Sequence, residues 1–151
     1  MSFVHCLQHV RTFATPTLCF GVRSSTSVPA TEIAWIADTG SAHDLVSRRM
    51  LHSDEVSQSS NPASLLTANG VFQATDQAKV NAPILGADIR PHVLDGSPAV
   101  VSVGQRCIDA GWSFHWPAFS RPYFKKPDGT KVKLEVDDYV PYLPSSTGVP
   151  P

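Results

Sequence analysis

The apolar run Ile33-Ala34-Trp35-Ile36-Ala37 stops on Asp38-Thr39-Gly40-Ser41, so a segment suited to burial hands an acid directly to a turn. Five apolar residues bounded by turn formers are too few for a helix and suit a core strand. The strand belongs inside a sheet, and its last residue, a carboxylate, belongs at the rim on a glycine-containing loop. Short apolar runs of this kind recur, with thirteen prolines and nine glycines scattered between them, the pattern of a turn-rich β protein. A chain of 151 residues buries about two-thirds of its unfolded surface, enough for one core and hardly for two.

Further along, residues 44–62 mix charge, Ser and Asn without a period and are expected to form a surface loop, with a short helix over 45–51. Asn69-Gly70 between Leu66 and Phe72 signals a hairpin, because both residues tolerate the positive φ of a type I′ turn. Strands are expected over 78–85 and 90–94, and the continuous apolar run 98–103 reads as a core strand. A short helix over 104–110 should end at Gly111 in a left-handed cap, with a strand returning over 112–116. Pro127-Asp128-Gly129-Thr130 divides two alternating segments into a further hairpin, and the tail after Pro141 is rich in Pro and Ser and expected to be loose.

Several of these pieces, in this order, carry a family resemblance. They are the active-site segment Trp35-Ile36-Ala37-Asp38-Thr39-Gly40-Ser41-Ala42-His43; the hairpin Leu65-Leu66-Thr67-Ala68-Asn69-Gly70-Val71-Phe72; His92-Val93-Leu94 with Pro98 and Val100-Val101-Ser102-Val103-Gly104; and Ala110-Gly111-Trp112-Ser113-Phe114. From Trp35 to Trp116 the chain resembles the protease region of copia-type retrotransposon polyproteins, a branch of the retropepsin-like aspartic proteases. The resemblance covers about half the chain and fades beyond Pro117. It implies an all-β fold, a small closed barrel of the retropepsin (acid protease) type with one short helix. The expected layout is an N-terminal extension over 1–31, the barrel over 32–117, an added β-hairpin over 118–140 and a Pro/Ser-rich tail over 141–151.

The resemblance implies an aspartic endopeptidase that processes a retrotransposon polyprotein. Two carboxylates sharing one proton activate a water and protonate a leaving amine, which a single Asp cannot do. This chain has one Asp-Thr-Gly motif, so the second aspartate would come from a second copy across a two-fold axis, making the active species a homodimer acting on an extended peptide. Asp38 would be the catalytic carboxylate. Thr39 would brace the opposite loop across the dimer, Gly40 would permit close approach of the two loops, and Ser41 would bond the outer carboxylate oxygen. Ala68, Asn69 and Gly70 would form a flap tip over the substrate, stiffer or shorter than the more glycine-rich flaps of retroviral enzymes. Val100, Val101 and Ser102 would support the catalytic loop, two valines standing where the family pattern favours leucines. His43 and Asp44 fall where the family contacts substrate or stabilises the dimer. The rival reading is a catalytically silent remnant, a β module that binds peptide or is only structural.

Charge and cysteines bear on other classes. Twelve basic and thirteen acidic residues leave a net charge of −1, with no footprint for nucleic acid or an anionic membrane, so neither is expected as a partner. No apolar stretch reaches membrane-spanning length, so a soluble chain is expected, and three cysteines without a pairing pattern suit a reducing compartment, hence an intracellular, cytoplasmic location. Cys6, Cys19 and Cys107 form no C-x-x-C pair, which indicates neither a disulfide framework nor a zinc knuckle. His5, Cys6 and His9 have helical metal-ligand spacing, but Cys6 stands where a zinc protease carries Glu, so no metal and no cofactor are expected. Residues 1–31 hold no acid and are rich in Ser and Thr; an organellar leader and a plain lead-in segment both fit them.

Overall fold

The computed structural model describes residues 33–67 and 70–144. The expected extension over 1–31, with His5, Cys6 and His9, therefore lies outside the described residues, as do Ala68, Asn69 and the last part of the tail.

The first apolar run forms β1 (Trp35–Asp38), with Trp35 and Ala37 buried. Beside it, in parallel, lies β8 (Ala99–Ser102), buried at all four positions as a continuous Ala-Val-Val-Ser run requires. Between them in the chain come β2 (Leu45–Val46), β3 (Val56–Thr67), β4 (Gly70–Ala78), β5 (Val80–Ala82), β6 (Ala87–Ile89) and β7 (His92–Val93). After β8 follow α1 (Val103–Ile108), β9 (Ser113–His115), β10 (Tyr123–Lys125), β11 (Lys131–Lys133), β12 (Glu135–Asp137) and β13 (Val140–Tyr142). Among the described residues the protein is mostly β with one short α-helix.

Eight strands form one sheet in the order β12-β13-β1-β8-β2-β7-β4-β3; β11-β10-β9 and β5-β6 form two smaller sheets. This order has two free ends, so the expected closed barrel is not formed among the described residues. The reason lies in the long hairpin. β4 meets β7 only at Gln77↔His92, whereas Ala63 to Thr67 and Gly70 to Ala74 pair only with each other beyond an irregularity between Gln58 and Ala63. The hairpin therefore projects past the sheet instead of closing it, leaving Leu66 85% and Val71 64% exposed.

Other expectations are corrected in detail. Residues 45–51 form β2 and a 3₁₀ turn at Arg48–Met50 instead of a short helix, and the expected surface loop already turns into β3 at Val56. The expected strand over 78–85 breaks after β5 into a 3₁₀ turn at Pro83–Leu85, which Gly86 ends with φ 80°. Thr67 pairs with Gly70, so Gly70 (φ 115°) closes the long hairpin rather than occupying the centre of its turn. The helix expected over 104–110 is α1, which runs Val103–Ile108 and is capped at Asp109 rather than at Gly111, although Gly111 does take the left-handed φ of 67°.

The segment after Pro117 joins the same core. Phe124 and Leu134 are fully buried among Trp35, Val46, Val101 and Val132, and Phe124 meets Phe114 and Trp112 with ring centroids 5.4 and 5.6 Å apart. Burying a side chain the size of Phe124 contributes about 2–3 kcal/mol. Pro141 and Tyr142, placed by sequence in a loose tail, belong to β13, which pairs with β1 at Ile36↔Tyr142. Beyond this pair Leu143 donates its amide to the Trp35 carbonyl at 2.9 Å.

Candidate active site

β1 delivers Asp38 to the rim of the sheet, directly opposite Ser102 at the end of β8. The carboxylate is half-buried, and Thr39 and Gly40 are exposed. The Gly40 amide donates to Asp38 Oδ1 at 2.7 Å, a tight Asx-type turn that fixes the orientation of the carboxylate. A Cβ on Gly40 would stand 3.3 Å from the same oxygen, so this glycine gives the carboxylate room as well as an amide donor. The Ser41 hydroxyl turns to the His43 carbonyl at 2.6 Å rather than to Asp38.

The loop is held from below by Ser102, which is fully buried. Its hydroxyl donates to the Ser41 carbonyl at 2.7 Å and accepts from the Gln105 amide at 3.2 Å, so one oxygen ties the loop down and caps α1. Its amide donates to Asp44 Oδ1 at 2.8 Å. Val100 and Val101 are buried in β8, opposite Ile36 and Ala37 of β1.

Asp44 is the centre of a second layer. Its buried carboxylate accepts from the Ser102 amide and, through Oδ2, from the Arg106 guanidinium of α1, a pair largely withdrawn from water. Its carbonyl accepts the His92 amide at 2.9 Å, attaching β7 to the same point. The buried His92 ring meets His43 edge to face at 5.1 Å, and its Nδ1 has no hydrogen-bond partner. Burial pushes the proton affinity of His92 down; the nearby His43 adds to this and Asp44 opposes it.

Asp38, Ser41 and Ser102 are thus brought together, with Asp44 and His43 directly behind them. Gly70 belongs to a different part of the sheet: β4 is separated from β1 by β8, β2 and β7. Sequence reasoning passed over Arg106 and His92. A signal for Arg106 was available, because it is the only charged residue between Asp95 and Asp109, and a lone cation beside an apolar strand calls for a buried partner. Among the described residues no group of three or more His, Cys, Asp or Glu side chains is placed to hold a metal ion. No helix among the described residues is long and apolar enough to cross a membrane. In comparison with known proteins, no family model matches the chain, and none of the curated proteins matches it.

Proposed function

We propose that the chain is a retropepsin-like aspartic endopeptidase, active as a homodimer and acting on an extended peptide such as a retrotransposon polyprotein. The observation that carries this reading is Asp38 itself: a half-buried carboxylate at the end of a buried strand, oriented by the Gly40 amide and seated on a loop that Ser102 ties to β8. The interleaving of parallel β1 and β8 with β2, antiparallel to β8 and parallel to β7, supports it by anchoring the loop's base in paired strands.

Two such loops, facing each other across a two-fold axis, would place two Asp38 carboxylates where they share one proton. The ionised member takes a proton from water, which attacks the scissile carbonyl carbon; the protonated member supplies a proton to the oxygen, and protonation of the amine completes cleavage of the C–N bond. Exposure of Thr39 and Gly40 leaves the loop free to meet its copy, and the apolar Leu66, Val71 and Phe72 on the projecting hairpin suit contact with a peptide. Sedimentation and peptide cleavage measured on one preparation test the proposal. Activity should rise with the dimer fraction and be blocked by a transition-state-mimicking aspartic protease inhibitor. Robust cleavage by a strict monomer, or an acyl adduct trapped on a serine or cysteine, would refute it.

A further inference from the structure

The net charge of −1 conceals an uneven distribution. Within 113–134 lie five basic residues, Arg121, Lys125, Lys126, Lys131 and Lys133, against the single acid Asp128. Asp128 is engaged locally, its carboxylate accepting the Thr130 amide at 2.8 Å in the β10–β11 turn.

Strand alternation sorts these charges. Phe114, Phe124 and Val132 share the inner face of the small sheet and enter the core, which leaves Ser113, His115, Tyr123, Lys125, Lys131 and Lys133 on the outer face. Lys125 and Lys131 are direct cross-strand partners. Like charges directly opposite each other destabilise a sheet, so this arrangement works against folding and suits an anionic partner that neutralises it. On the same face His115 stacks on Tyr123, centroids 5.0 Å apart and planes 16° from parallel, with the Lys131 ammonium over the Tyr123 ring at 4.6 Å. Ser113 Oγ lies 2.8 Å from His115 Nε2 and fixes the imidazole. Ser113 and Tyr123 are half-buried, His115 and the three lysines are exposed, and at one end of the face the β9–β10 connection carries the fully exposed Phe119.

We propose that the outer face of β9, β10 and β11 binds single-stranded nucleic acid, the lysines Lys125, Lys131 and Lys133 taking phosphates and the pre-stacked His115 offering a platform to a base. Lysines alone would fit any polyanion; ordered aromatic rings among them favour a ligand with planar bases over an acidic peptide. The site is independent of Asp38 and stands or falls separately from the proteolytic reading.

The test uses the full chain, a fluorescent oligothymidylate of about 15 nucleotides and anisotropy over a range of salt. Three lysine contacts predict a slope of log K against log salt of about −2. Lys125→Gln, Lys131→Gln and Lys133→Gln combined should weaken binding about tenfold or more and flatten that slope. His115→Ala should cost about fivefold or more with the slope kept. A single cooperative melting transition in each variant, no lower than the wild type's for the combined lysine variant, certifies the fold. Absence of binding at low salt, binding indifferent to the lysine changes, or equal affinity for polyglutamate with no effect of His115→Ala would each overturn the proposal, the last assigning the face to acidic peptide.

Discussion

The Ser102 amide donates to the Asp44 carboxylate at 2.8 Å, joining residues 58 positions apart directly beneath the loop that carries Asp38. Arg106 completes the arrangement from α1, so the Asp38 loop, β8 and the helix meet at one buried charge pair. Removing one partner of such a pair leaves the other charge buried and uncompensated. Arg106→Met should therefore lower unfolding stability by about 3–5 kcal/mol, and Asp44→Asn added to it should restore much of the loss. Urea denaturation at unchanged m-value measures both. A loss below about 1 kcal/mol for Arg106→Met would show that the pair contributes no more than a surface contact.

Ser102→Ala removes the bond to the Ser41 carbonyl and the cap on the Gln105 amide together. A stability loss of about 1–2 kcal/mol is expected. Because the Asp38 loop loses its tether, kcat should fall further than the folded fraction does. Unfolding and turnover measured at one temperature separate the two effects; equal proportional losses would reduce Ser102 to a stabilising residue.

How far these features could be read from sequence depends on their range. β1, β8 and α1 were legible because each is specified locally, by an apolar run or by a short segment ended at a glycine. The approach of Asp44 to Ser102 and Arg106 was not, since contacts 58 and 62 positions apart leave no periodic trace. β13 was misread because Pro141 suggests a tail; the ladder tolerates it where Leu143, not the proline, donates to β1. Asn69-Gly70 correctly announced a hairpin, but the pairing of Thr67 with Gly70 shifted its register by one residue.

Gly40→Ala probes the space around the carboxylate. The added Cβ would stand 3.3 Å from Asp38 Oδ1, so the carboxylate must shift by a few tenths of an ångström. Fold and melting temperature should change little, while kcat falls about 10-fold or more through misplacement of the reacting group. Unchanged turnover would show that the position of Oδ1 is not critical.

His92 supplies a pH dependence of stability. Burial, reinforced by His43 and opposed by Asp44, holds its folded-state proton affinity below the ordinary value of 6.5. The unfolded chain then binds the proton more readily. His92 thus contributes stability that is fully present above pH 6.5 and lost as pH falls through the lowered folded value. His92→Phe should flatten the melting temperature against pH on the acidic side of 6.5. Parallel profiles for the two proteins would exclude His92 as the cause.

Peptide hydrolysis by the Asp38→Asn protein beside the wild type, with thermal unfolding recorded on both, tests the central claim most directly. The amide is nearly isosteric with the carboxylate, so the melting profile should hold. Cleavage by the wild type should follow a bell-shaped curve on the acidic side of neutrality, set by the coupled pair of carboxylates. In the variant it should fall by about 10²–10⁴-fold or more, because the general acid and base are both lost. Substantial hydrolysis by Asp38→Asn would contradict the role given to Asp38, and a folded wild-type dimer that cleaves nothing would leave only the silent peptide-binding module.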